Sequence, residues 1–163
     1  GRMYSPAATW PVKAGGKIFI TTPERKCYAI DARTGKTVWE AEGGRESIGL
    51  SDDKQQVYVK TMFDSLYAFH TVPGKALSKW RVAGGFGYEI GPSPVTSQDG
   101  LVFVPSAKGV LYAYDKDNGS ARWHIRLSDG LINYAQPVGN SKLIVSTLDG
   151  QVYLIGYKND VLQ

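Results

Sequence analysis

Cysteine is almost absent from this chain: Cys27 stands alone among 163 residues. One thiol closes no internal disulfide, builds no cysteine zinc site and forms no adjacent pair. Cys27 lies in an apolar stretch, so a buried packing thiol is expected. Histidine is nearly as scarce. Neither His70 nor His124 has a cysteine or a second histidine at ligand spacing, which argues against a metal site. No apolar run approaches the ~18–20 residues that span a bilayer, and no signal peptide is visible. The chain opens at Gly1 rather than Met, as expected for a processed protein or a piece of a longer one. Basic residues exceed acidic ones only slightly, for a net charge of +4. They are scattered, with Arg25-Lys26 the longest run, so no nucleic-acid-binding stripe is expected. There is no G-x-S-x-G turn to carry a serine nucleophile. Gly84-Gly85-x-Gly87 lacks the spacing of a dinucleotide fingerprint.

Aromatics and glycines are plentiful instead: ten Tyr, four Trp and 19 Gly. Aromatic, β-branched segments broken by glycine turns point to short strands rather than helices. A phrase recurs. It begins at Tyr28, Tyr67, Tyr112 and Tyr153, at intervals of 39, 45 and 41 residues. That period belongs to propeller blades or helical-pair repeats, and the local pattern excludes helices.

Each copy holds four pieces. A short first piece surrounds Pro11-Val12, Leu50-Ser51, Pro94-Val95 or Pro137-Val138. An apolar second piece follows: 17–20, 57–59, 101–104 or 143–145. The third starts at the repeated Tyr, and the fourth ends at Trp39, Trp80 or Trp123, with none in the last copy. Four antiparallel strands per copy make one twisted sheet. The middle strands are apolar on both faces, so each sheet must be covered on both sides. The turn before the fourth piece carries Asp31 and Gly35, or Asp115 and Gly119. The Asp is expected to accept turn amides, the Gly to take positive φ, and the Trp to pack on the next repeat.

Ala29-x-Asp31-x-x-Thr34-Gly35-x-x-x-Trp39 resembles the tryptophan-docking motif of PQQ-type β-propeller repeats. The third copy matches it with Asn118 in the Thr position. The second departs, with His70 for Asp, Pro73 for Thr, and Trp80 two residues late. The fourth has Gly156 for Asp. The resemblance covers essentially the whole chain. It implies an all-β fold of four consecutive antiparallel blades, roughly residues 8–42, 47–83, 91–127 and 134–157, within one partial propeller over 1–163. The family's propellers usually have seven or eight blades, so four make about half a ring, and the last blade is expected to stop after its third strand.

Family members fall into two groups. Quinoprotein dehydrogenases use pyrroloquinoline quinone and calcium; cofactor-free propellers include scaffolds similar to the outer-membrane assembly lipoprotein and modules attached to phosphoesterases. The single cysteine and the lack of a matching acidic cluster leave no cofactor site to expect. The resemblance therefore implies a non-catalytic scaffold or protein-binding module of the bacterial periplasm or envelope. The alternative is the propeller part of an enzyme whose catalytic residues lie elsewhere.

Two open ends follow from half a ring. A fragment of a longer propeller, a dimer closing eight blades, or a tight four-bladed ring would each resolve them. A fragment that self-associates in isolation is expected. Propellers bind through loops leading into their innermost strands, which makes Arg45, Glu46, Phe86, Tyr88, Glu89, Asn133 and Tyr134 the candidate partner-binding residues. For Arg45 and Glu46 the competing reading is a solvated pair; for Phe86 and Tyr88 it is packing on the adjacent blade. His124, beside Trp123, is expected to face solvent.

Overall fold

The computed structural model describes residues 11–22, 24, 26–42, 48–60, 65–71, 78–86, 93–158 and 161–162. The chain is all-β, with no helix among the described residues. The first sheet runs β1 (Val12–Ala14), β2 (Lys17–Thr21), β3 (Lys26–Asp31) and β4 (Thr37–Glu42). The second runs β5 (Ile48–Leu50), β6 (Gln56–Lys60), β7 (Ser65–His70) and β8 (Ser78–Ala83). The third comprises β9 (Thr96–Gln98), β10 (Leu101–Pro105), β11 (Val110–Asp115) and β12 (Ala121–Arg126). The fourth comprises β13 (Ile132–Pro137), β14 (Lys142–Thr147), β15 (Val152–Lys158) and β16 (Val161–Leu162). Neighbours in sequence are neighbours in each sheet, and every pairing is antiparallel.

The second and third strands form as their apolar content requires. In β6 and β10 every residue is buried, because another sheet lies on each side. The two faces divide cleanly. Phe19, Cys27 and Ala29 of the first sheet meet Val57, Val59 and Phe69 of the second. Tyr58, Leu66 and Ala68, on the second sheet's other face, meet Val102, Val104 and Tyr114 of the third. Leu101, Phe103, Leu111 and Ala113 in turn meet Leu143, Val145, Ile155 and Tyr157 of the fourth. Successive sheets therefore stack in chain order, and the core is three seams rather than one centre.

Two expectations change. Pro94-Val95 precedes β9 instead of forming it. The fourth sheet does not stop at its third strand: Val161 and Leu162 pair with Lys158 and Tyr157. This fourth strand has two residues where its counterparts β4, β8 and β12 have six. Five or seven residues separate each longer strand from the strand before it; here only Asn159 and Asp160 separate β15 from β16.

Cys27 is fully buried in the first seam, and burial pushes its thiol up to about 12. The folded protein is expected to be inert to a thiol reagent such as dithiobisnitrobenzoate at pH 8, with one equivalent reacting in denaturant. Stoichiometric labelling of the native chain at the rate of a free thiol would contradict this packing.

Candidate functional site

The seams are built around tryptophan. Trp39, Trp80 and Trp123 sit opposite Ala29, Ala68 and Ala113, and in each case the register slips by one residue just beyond the Ala. The unpaired residue is a bulge, which re-aims the strand. Trp80 lies two residues later in its repeat than Trp39 and Trp123, yet it reaches the same place opposite its Ala. The extra length is absorbed before β8.

Each indole lies between its own sheet and the next. Trp39 has Phe19 at 5.8 Å and Phe69 at 5.3 Å. Trp80 has Tyr58 at 6.1 Å and donates Nε1–H to the Lys116 carbonyl at 2.8 Å. Trp123 has Phe103 at 5.9 Å and Tyr157 at 6.3 Å. Its Nε1 is buried and meets no acceptor among the described residues. The fourth sheet lacks the Asp turn that supplies Lys116, and places the Tyr157 ring there instead.

The receiving turn follows turn chemistry closely. Asp115 Oδ1 accepts the amides of Asp117 at 2.8 Å and Asn118 at 3.1 Å. Asp31 Oδ1 accepts those of Arg33 at 2.8 Å and Thr34 at 2.9 Å. These amides hold the Asp31 carboxyl below its ordinary range; the Arg122 guanidinium leads the same effect at Asp115. Asn118 does the work of Thr34: each side-chain oxygen accepts an amide two residues on. Gly119 has φ +74°, and a Cβ there would come within 2.8 Å of the Trp80 ring. Glycine is required twice over, by conformation and by approach.

A polar strap reinforces the second seam. Lys116 Nζ lies 3.0 Å from Asp52 and 2.8 Å from Asp53. Ser97 accepts the Asp52 amide at 2.9 Å and donates to its carboxylate at 2.8 Å. Gln56 Nε2 joins Trp80 on the Lys116 carbonyl at 3.1 Å. In the first seam Lys17 does likewise, donating to the Thr71 carbonyl at 2.9 Å. Partial burial opposes ionisation of Asp53, but Lys116, Ser51 and the Gln55 amide prevail and hold it at about 2. A carboxyl depressed in the folded state contributes stability above its unfolded value near ~4, lost as pH falls through the folded value. Thermal melts of the wild type are expected to weaken from about pH 4 down to about pH 2, and Lys116→Met to flatten part of that slope. Identical slopes in both proteins would remove the strap from the account.

The candidate partner-binding residues fare differently. Arg45, Glu46, Tyr88 and Glu89 lie outside the described residues. Phe86 is 2% exposed and packs edge-on against Tyr112 and Tyr114, at 5.4 and 6.2 Å, inside the second seam. Asn133 and Tyr134 are exposed on β13. Asn133 is the residue skipped where β13 slips register against β14, and the Tyr134 hydroxyl donates to Gln136. His124 is exposed beside the Tyr112 ring, 6.0 Å away.

The open end expected of half a ring is an apolar face on the fourth sheet, though sequence reasoning named none of its residues. Ile144, Val152 and Leu154 are 43%, 71% and 65% exposed, and Tyr134 flanks them. Ile144 pairs with Leu154, and Tyr134 and Val152 both pair with Ser146, so the four form one patch. Their partners on the opposite face, Leu143, Val145 and Ile155, are the ones buried in the third seam. The signal was in the repeat: Leu154 stands where the other copies carry Ala29, Ala68 and Ala113.

The family model for the outer membrane protein assembly factor BamB matches residues 3–82 and again 74–162, almost the whole chain. The chain belongs to the BamB family. The BamB of Yersinia pestis is 26% identical over 129 residues, covering 72% of this chain and 32% of the relative. The chain thus spans about a third of that relative's length. Among solved structures, BamB from Moraxella catarrhalis aligns over 91% of this chain and 48% of its own, with a TM-score of 0.71 and 21% identity. Quinohemoprotein alcohol dehydrogenase from Comamonas testosteroni aligns over 94% of this chain and 33% of its own, with a TM-score of 0.69 and 16% identity. At these identities both structures show the fold alone: a β-propeller of PQQ-like repeats, the fold of the BamB family.

Proposed function

We propose that residues 1–163 are a non-catalytic, protein-binding part of a larger propeller in the cell envelope, its four sheets being four of seven or eight blades. The observation that carries this reading is the open face of the fourth sheet. Three large aliphatic side chains and a tyrosine in one patch are what a protein partner or neighbouring blade covers. These aspartates are engaged structurally: Asp31 and Asp115 hold turns, and Asp52 and Asp53 hold Lys116. Membership of a family described as outer-membrane assembly factors supports an envelope location and a protein partner.

The second reading is part of a quinone-dependent enzyme, favoured by the likeness to the Comamonas dehydrogenase. The residues do not fit the cofactor. The lone thiol is buried in a seam, the adjacent carboxylates Asp52 and Asp53 are tied to a lysine in the strap, and among the described residues no three acidic or His groups gather as a cation site.

Two assays separate the readings. The chain is expected to show no shift in Tm and no dye reduction with pyrroloquinoline quinone, calcium and an alcohol. Binding to purified outer-membrane assembly components is expected, and Leu154→Glu with Val152→Glu is expected to weaken it about tenfold or more, as loss of a central apolar anchor does. Dye reduction, or binding indifferent to the double substitution, overturns the proposal.

A further inference from the structure

Asn118-Gly119 is the only Asn-Gly step in the chain. Such a step loses its side-chain amide readily, because a glycine without Cβ leaves the next backbone nitrogen free to reach the amide carbon. The chemistry is self-contained. The Gly119 nitrogen bonds to Asn118 Cγ, the bond from Cγ to the amide nitrogen breaks, and ammonia leaves with the Gly119 amide proton. Water then opens the five-membered succinimide at either carbonyl. One opening gives aspartate. The other gives isoaspartate, whose main chain runs through the side-chain carbons and is one carbon longer.

The closed turn opposes the first step. The Gly119 N–H is committed to the Asp115 carbonyl at 2.8 Å. Asn118 Oδ1 accepts the Ser120 amide at 2.9 Å, and the Asn118 amide is itself held by Asp115 Oδ1 at 3.1 Å. Closing the ring requires the Gly119 peptide to rotate about the Asn118 Cα–C bond. That motion breaks the bond to Asp115 and turns a residue at φ +74° with the Trp80 ring 2.8 Å from where its Cβ would stand. Asn118 itself is exposed. Water and base reach it freely, so its protection is conformational rather than steric. The corresponding turn of the first sheet carries Thr34 in this place, which has no amide to lose.

We propose that Asn118 is a deamidation site gated by the second seam: silent while the second and third sheets are closed, and converted through a succinimide when they part. The isoaspartate product does not fit back. An extra main-chain carbon at 118 falls between the Asp115 carboxylate, which holds the 118 amide, and Gly119, which is packed under Trp80. Both anchors cannot be kept. Aspartate at 118 does fit, since its carboxylate accepts the Ser120 amide as Asn118 Oδ1 does. Each opening of the seam therefore carries a chance of a one-way change that leaves it weaker.

The test follows the amide in the full chain. Folded protein and a peptide of residues 111–124 are incubated side by side at pH 8, and digests are read by mass spectrometry for acid and isoaspartate at 118. The folded chain is expected to convert about tenfold more slowly than the peptide, or slower still, because reaction waits on opening. Trp80→Phe, which leaves the Asn-Gly step intact, and urea below the unfolding midpoint are each expected to speed conversion severalfold. Chain carrying isoaspartate at 118 is expected to melt below wild type, and Asn118→Asp to lose much less. Conversion of the folded chain at the peptide's rate, a rate indifferent to both Trp80→Phe and urea, or an isoaspartate form as stable as wild type overturns the proposal.

Discussion

Trp80→Ala is expected to destabilise the chain by about 3–5 kcal/mol, read as a fall in denaturation midpoint at constant slope. The indole is the largest side chain in the second seam, 8% exposed, packed on Tyr58 and closed over by Gly119. Removing it leaves a cavity between two sheets that share no backbone ladder across the seam. It also takes one of two donors from the Lys116 carbonyl, leaving Gln56 alone. A conservative pair isolates the hydrogen bond. Trp80→Phe should cost about 1–2 kcal/mol beyond the change in ring size, the worth of a buried bond whose acceptor is left half-served. Trp123→Phe should cost less, because that Nε1–H is buried without an acceptor among the described residues and its loss relieves a desolvation penalty. Equal costs at the two positions would mean that the carbonyl of the Asp turn is not part of the clasp.

Gly49→Ala is expected to be nearly as damaging, on the order of 3 kcal/mol, or to prevent folding outright. Gly49 is the middle residue of β5, the innermost strand of the second sheet, paired with Tyr58. A Cβ there would stand 1.9 Å from the Val95 carbonyl oxygen and 2.8 Å from its carbon. Both are backbone atoms, so no side chain can swing away. Relief requires the second and third sheets to separate where they converge, which opens the seam that Trp80 closes. Circular dichroism and a denaturant melt measure this directly. A variant as stable as wild type would show that the inner strands do not approach this closely.

These two sites mark what the sequence made legible and what it hid. The Tyr-Ala step, the Asp–Gly turn and the Trp recur with the repeat, and each records a local demand: a small residue under a ring, a positive φ, a carboxylate over amides. Such demands are written in the residues that meet them, so Asp31, Gly35, Asp115, Gly119 and the three clasping tryptophans could be read from spacing. Even Trp80, displaced in sequence, was recognisable because its Ala68 partner kept its place. Gly49 was not legible, since its demand comes from Val95, 46 residues away, across a seam rather than along a turn. The Lys116 strap was hidden for the same reason: a lysine and two aspartates more than 60 residues apart look like solvated charges until two sheets stack.

Phe86 shows the opposite limit. A ring on a glycine-rich loop reads equally as a partner contact or as a plug, and only the position of Tyr112 and Tyr114 turns it into the seam. The short β16 was unreadable because no Trp or Asp turn announces it. The aliphatic face of the fourth sheet was visible as Leu154 in an alanine position, yet its meaning depended on knowing which face of the strand the third sheet leaves open.

The central claim is that each sheet is locked to the next through the indole of its last strand. Hydrogen exchange of the tryptophan Nε1–H resonances tests it most directly. The Trp80 indole proton, on an Nε1 that lies 2.8 Å from the Lys116 carbonyl oxygen, is expected to exchange only with global unfolding and to lose that protection in Gly119→Val. Exchange of the Trp80 proton at the rate of free tryptophan, in a chain that is otherwise folded, would contradict the clasp and with it the stacking of the sheets.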